Sequence, residues 1–319
     1  MSEIVDRPSK LLSYMRLFRI PNVFTAMADI MMGFLFVQGG PEPLASLGCL
    51  VLATSFLYTA GMILNDVYDV EVDRRERPHR PLPSGTIPVG TASSLGYAML
   101  LLGVGCAGLA TWVAPVNGAQ VWRPAAVAAA LAVCIVLYDA VLKKTPLAPL
   151  AMGGCRLLNV LLGMSAGAPV AGLFGFGSHH WVAAAGVGVY IVGVTWFART
   201  EARQSNAIQL ALACVVMVFG FALLILFPHV APVTFRPMLQ DFAWPVLIIL
   251  IGGLIVRRAA MAVLNPQPPL VQAAVRNCIL SLIVLDAAVA LNVSNQLWAL
   301  GILCLLAPTL LLGRWVYST

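Results

Sequence analysis

Apolar windows of about twenty residues recur along the whole chain. They lie near 20–38, 44–65, 91–114, 124–142, 147–168, 181–198, 207–227, 242–261, 272–292 and 295–315. A segment of that length matches the hydrocarbon thickness of a bilayer, where each backbone N–H and C=O has to be satisfied within the segment. The windows therefore read as helices, and they are too long and too weakly alternating for strands of a membrane barrel. The count is ten, or nine if the last two, separated by only Val293 and Ser294, act as one. The predicted fold is all-α, a polytopic integral membrane bundle forming one domain over 1–319.

Composition agrees with that reading. Hydrophobic residues make up 60% of the chain and charged residues 10%, far from the balance of a soluble globular domain. Seven cysteines are scattered through apolar segments with no CxxC pair, which suits small buried hydrophobes rather than disulfides or metal ligands. The first 19 residues are polar and basic and the first apolar run is long enough to span, so no cleavable signal peptide is expected.

The net charge of +6 reads as topology rather than as a nucleic-acid surface. With the N-terminus inside, sixteen of the nineteen Lys and Arg residues fall on one side, Arg123 and Arg236 fall on the other, and Arg156 lies within a span. That asymmetry is a positive-inside signal. It predicts a multi-pass protein of the cell inner membrane, with the lipid bilayer as its partner and its polar chemistry on the cytoplasmic face. On the opposite side, His179-His180 follows a Gly-rich link and reads as loop polarity.

The polar chemistry concentrates in Asn65-Asp66-Val67-Tyr68-Asp69-Val70-Glu71-Val72-Asp73. Helical spacing puts Asp66, Asp69 and Asp73 on one face, a turn apart. Carboxylates at the end of a membrane helix are costly unless something binds them, and Mg²⁺ is the fitting companion because it bridges carboxylates to substrate phosphates. Arg74, Arg75, Arg77 and Arg80 follow at once. Mg²⁺ with Lys and Arg supplies the electrostatic stabilisation that a departing diphosphate needs. The alternative is a solvated helix end with Asp–Arg pairs, which leaves the helical register of three aspartates unexplained.

These residues carry a resemblance. Asn65-Asp66-x-x-Asp69-x-x-x-Asp73 followed by Arg80-Pro81-Leu82-Pro83-Ser84-Gly85 resembles the first aspartate motif of the UbiA-type membrane prenyltransferases. Tyr138-x-x-x-Leu142-Lys143-Lys144-Thr145 is similar to that family's basic segment, and Arg19-x-Pro21-Asn22 to its N-terminal signature. The resemblance implies a helical bundle around a central cavity and a prenyl diphosphate bound through Mg²⁺. It implies Asp66, Asp69 and Asp73 as metal ligands, Asp66, Asp69 and Lys143 among the catalytic groups, Asn65, Arg77, Arg80 and Lys144 as substrate contacts, and Asn22 in the cavity wall.

The second aspartate motif of the family is altered. Its position reads Phe197-Ala198-Arg199-Thr200-Glu201-Ala202-Arg203, with Glu201 the sole acid. Glu201 is either a ligand or general base, or the partner of Arg199 or Arg203; Arg199 is a further candidate for substrate contact, since arginine can replace metal in holding a diphosphate. With Gly154-Cys155-Arg156-Leu157-Leu158-Asn159, this departure resembles the EboC-like branch of the superfamily, which implies a small acceptor, aromatic or polar and cyclitol-like.

Polar residues inside spans usually face a cavity and find a partner. Arg156 and Asn159, nearly one turn apart, are expected to line the pocket and bind substrate. Asp29 either positions an acceptor hydroxyl or pairs with Arg156, and Asp286 suits a structural hydrogen bond. Asp139, one turn before Lys143, is read as its helix partner, with substrate contact as the alternative. The function these features predict is Mg²⁺-dependent transfer of a (poly)prenyl group from a prenyl diphosphate to a small acceptor. The alternative is a non-catalytic protein that binds or transports an isoprenoid lipid.

Overall fold

The computed structural model describes residues 10–114, 120–201, 204–239 and 242–316. Among these residues there are thirteen α-helices and no strand. The helices are α1 (Lys10–Phe18), α2 (Ile20–Gln38), α3 (Leu44–Tyr68), α4 (Val70–Glu76), α5 (Val89–Val113), α6 (Arg123–Ala140) and α7 (Ala148–Met164). They continue with α8 (Ser178–Ala198), α9 (Ala207–Leu226), α10 (Ala243–Leu264), α11 (Pro268–Val293), α12 (Gln296–Leu303) and α13 (Leu306–Trp315). The protein is a multi-pass membrane protein: nine stretches among the described residues are long and apolar enough to cross a bilayer.

The sequence count of ten or nine resolves in an unexpected place. The last two windows stay separate, in α11 and in the α12–α13 stretch, while the fifth window falls short. Helix α7 has 17 residues, about 25 Å at 1.5 Å per residue against a hydrocarbon core of about 30 Å. Its end leaves backbone carbonyls that a membrane cannot hydrate. The N–H groups of Ser165 and Gly167 turn back to the Leu162 and Met164 carbonyls, and Arg123 holds the segment that follows, donating from Nη1 to the Gly167 carbonyl at 2.9 Å and stacking 4.5 Å over the Phe176 ring.

Close helix contact comes from small residues, as expected where lipid removes any hydrophobic drive between helices. At the crossing of α2 and α7, a Cβ built on Gly33 would stand 2.5 Å from the Val160 carbonyl, and one on Gly163 would stand 2.6 Å from that of Ile30. Helix α2 thus runs in backbone contact with α7 while also packing against α3 and α11. This leaves a space enclosed by α2, α3, α6, α7, α8 and α11.

Two local expectations change. The aspartate run is not one unbroken helix: α3 stops at Tyr68, Asp69 sits at φ −96°, ψ 0°, and α4 restarts at Val70. Asp69 N–H still donates to the Asn65 carbonyl, at 3.0 Å, and Asp73 N–H to that of Asp69, at 2.8 Å, so the register of the three carboxylates survives the bend. His179 and His180 are not loop residues. They are buried in the first turn of α8 against Phe36 and Phe235, and His180 Nδ1 accepts the Gly177 N–H at 2.9 Å. Satisfying the free N–H groups of a helix start explains their place.

Candidate active site

A cavity of about 370 Å³ opens beside the aspartate run. Its walls are largely aliphatic, with Leu57, Leu131, Ile135, Ile191, Val194 and Ile279 from four different helices. Arg19, Asn22, Asn65, Asp139 and Glu201 also line it, and Tyr58, Thr54, Arg156 and Asn159 add polar groups to its walls. Such a space suits a molecule with a polar head and a hydrocarbon body.

The three aspartates stand around Asn65, each against a cation. Arg19 Nη2 lies 3.0 Å from Asp66 Oδ1, Arg80 Nη1 lies 2.7 Å from Asp73 Oδ2, and Lys143 Nζ lies 2.8 Å from Asp69 Oδ1. Arg80 also approaches Asp66 at 3.8 Å. Lys143 Nζ donates to the carbonyl and the side-chain oxygen of Asn65, at 3.2 and 3.3 Å. Asp66 and Asp73 are buried; Asp69, at the bend, keeps 26% of its side chain exposed. The backbone explains Arg19, which adopts φ 46°, ψ 45° at the joint between α1 and α2. A left-handed residue there swings the chain between the two helices, with Pro21 fixing the first turn of α2.

Not every residue singled out from the sequence joins the cavity. Glu201 lines it and faces Arg77; burial pushes the Glu201 carboxyl above the usual glutamate range, partly offset by that arginine. Lys144 is exposed in the short 3₁₀ turn after α6. Arg199 is exposed too and donates to the Thr145 carbonyl at 3.1 Å, tying the end of α8 to that turn. Neither is among the lining residues.

Deeper in the bundle, Asp29 pairs with Arg156, at 2.7 Å, and accepts from Asn159 Nδ2 at 2.9 Å. Arg156 Nη2 also donates to Thr25 Oγ1 at 2.7 Å, and Asn159 Oδ1 accepts from Thr54 at 2.7 Å. Of the two roles open for Asp29, the geometry gives it the arginine. Asp286 stands next to Asp29, where the two carboxyl groups are placed to share a hydrogen bond. The Asp139–Lys143 helix pair does not form, because α6 ends at Ala140 and Lys143 turns to Asp69.

Sequence reasoning left Arg19, Tyr58 and Tyr138 outside the site, yet all three line the cavity. Arg19 carried a signal, a base immediately before Pro21-Asn22 at the start of a span. Tyr138 carried one too, as the first residue of the segment that ends in Lys143-Lys144, whereas Tyr58 sits in an apolar run where nothing distinguishes it from a packing residue.

The sequence profile of the UbiA prenyltransferase family matches residues 26–277. The chain belongs to the UbiA prenyltransferase family. Within it, a digeranylgeranylglyceryl phosphate synthase of Saccharolobus solfataricus is 39% identical over 94 residues, 30% of this chain and 33% of the relative. One of Methanoculleus marisnigri is 30% identical over 134 residues, 42% of this chain and 44% of the relative. These alignments therefore span less than half the length of either relative. Solved structures share the UbiA fold over most of the chain. A digeranylgeranylglyceryl phosphate synthase superposes with TM-score 0.62 at 20% identity, covering 89% of this chain and 98% of the other. A UbiA homologue from Archaeoglobus fulgidus bound to DMAPP and Mg²⁺ superposes with TM-score 0.52 at 17% identity, covering 87% and 99%.

Proposed function

We propose that this UbiA-family chain is a membrane prenyltransferase that moves a prenyl group from its diphosphate to a small acceptor in the cavity. The observation that carries the reading is the junction at Asn65, where an aspartate and cation cluster meets an aliphatic cavity. One end suits a diphosphate and the other a hydrocarbon chain.

The donor set fits Mg²⁺: Asp66, Asp69 and Asp73 offer hard oxygen ligands. Among the described residues no three acidic, His or Cys side chains are gathered tightly enough to enclose an ion. Mg²⁺ usually binds through one or two carboxylates with phosphate oxygens completing its shell, so the arrangement suits a metal that arrives with the diphosphate. The bound ion would withdraw charge from the leaving diphosphate. Arg80 and Lys143 would share the phosphate oxygens, Arg19 would hold Asp66, and Asn22 and Asn65 would border the reacting carbon. Glu201 stands at the position of the second aspartate motif and, with Arg77 from the end of α4, would close the mouth over the diphosphate. Lys144 and Arg199 would act from the rim, where they raise the local positive potential.

The charge asymmetry supports a mouth on the cytoplasmic face of the inner membrane. For the acceptor, the altered second motif favours the EboC-like branch and a small polar, cyclitol-like molecule. The names of the curated relatives favour a glyceryl phosphate lipid instead. The test is to supply labelled geranylgeranyl diphosphate and Mg²⁺ to the purified protein in lipid nanodiscs, with myo-inositol, geranylgeranylglyceryl phosphate or 4-hydroxybenzoate. A prenylated product identified by mass establishes the transfer and names the acceptor class. Binding of the diphosphate with no product from any of the three would favour an isoprenoid-binding protein.

A further inference from the structure

Two carboxylates line the cavity among the described residues, Asp139 and Glu201. Glu201 faces Arg77. Asp139 is different. It sits in the last turn of α6, 3% exposed, and no hydrogen-bond donor among the described residues reaches its Oδ2. The base one turn along, Lys143, is engaged by Asp69 and Asn65. A buried carboxylate oxygen without a donor is expensive to maintain. Its place in the cavity wall means that an occupant of the cavity can supply the missing donor. Lys143, Asp69, Arg19 and Asp66 all lie within electrostatic reach of Asp139, so this unused oxygen borders the region where the diphosphate would be cleaved.

We propose that Asp139 is the general base of the transfer, accepting the proton of a hydroxyl-bearing acceptor. The proposal rests on the transferase reading above and assigns the deprotonation, which that reading leaves open. The bond between C1 of the prenyl chain and the diphosphate oxygen breaks, and its electron pair leaves on the diphosphate. A lone pair of the acceptor oxygen forms the new bond to C1. The hydroxyl proton passes to the Asp139 carboxylate, from which it is later lost to water at the mouth. No oxidant or reductant is needed.

The test uses the full chain in nanodiscs with geranylgeranyl diphosphate and Mg²⁺, and with myo-inositol and geranylgeranylglyceryl phosphate as acceptor probes. Asp139→Asn is isosteric, and its melting curve reports whether it folds. It is expected to lower kcat by about 100-fold or more, with the KM for geranylgeranyl diphosphate changing by less than about threefold. Asp139→Ala opens space for a small carboxylate, and added formate is expected to recover about tenfold or more of its lost rate. An Asn variant within about threefold of wild-type kcat would overturn the proposal. So would a loss that excess Mg²⁺ restores and formate does not, which would make Asp139 a metal ligand. A wild-type protein that transfers to neither of these probes nor to 4-hydroxybenzoate would overturn the transferase reading, and this inference with it; transfer to 4-hydroxybenzoate alone would overturn the inference and leave that reading standing. A transferring wild type with an unaffected Asn variant removes the inference alone.

Discussion

Arg19 reaches Asp66 at 3.0 Å from a left-handed backbone, φ 46°, ψ 45°. A residue with a Cβ in that conformation costs about 1 kcal/mol or more, and the cost falls where the cavity, the aspartate run and the first span meet. Arg19→Gly separates the two roles of the residue. The glycine relieves the backbone and removes the cation, so the variant should melt no lower than wild type in detergent. Its affinity for a prenyl diphosphate should weaken by about tenfold, the scale of a lost charge-assisted contact. Calorimetric melting and equilibrium binding measure the two effects independently.

The Asp29–Arg156 pair is buried, with Asp29 fully inaccessible. Removing one partner strands a charge in the bundle, so Asp29→Ala should cost about 3–5 kcal/mol. The double variant Asp29→Leu with Arg156→Met should recover most of that stability, because an apolar pair replaces a charge pair of similar volume. A double-mutant cycle on thermal or denaturant unfolding gives the coupling directly.

Gly163→Ala tests the crossing that brings α7 against α2. Its Cβ would stand 2.6 Å from the Ile30 carbonyl, a backbone atom that cannot rotate away. Overpacking at such a contact should destabilise the protein by about 2 kcal/mol. It should also displace Arg156 and Asn159, so acceptor KM should rise together with the fall in melting temperature. A change in one without the other would uncouple the crossing from the cavity.

Glu201 predicts a pH dependence. Burial raises its carboxyl above the ordinary glutamate range, with Arg77 pulling the other way. The folded protein then holds this proton to higher pH than the unfolded chain, so this group's contribution to stability falls as pH rises out of the ordinary glutamate range. Glu201→Gln removes that loss. The variant should match wild type at acidic pH and melt higher at neutral pH, as melting curves across pH 4 to 8 would reveal.

Hydropathy made the bundle legible, because the bilayer leaves a run of about twenty apolar residues little choice but a helix. The aspartate spacing and the bases after it pointed to the mouth for a similar reason: charges at a membrane helix end have to be answered locally. What lay beyond reach was which base answers which acid. Asp139 and Lys143 are one helical turn apart in sequence, but α6 ends between them and the lysine goes to Asp69. Tertiary partners also decided Asp29, whose arginine lies 127 residues away. The short α7 was hidden because apolar residues continue past Met164, while the buried arginine that holds the segment after it comes from α6.

The most direct test is diphosphate release from geranylgeranyl diphosphate, followed with and without Mg²⁺ for wild type, Asp66→Ala and Asp69→Ala. The mouth described above predicts release that requires both Mg²⁺ and a productive acceptor, reduced by about 100-fold or more in either variant. Release that is unchanged in both variants, or that needs no Mg²⁺, would contradict the assignment of this aspartate cluster as the diphosphate site.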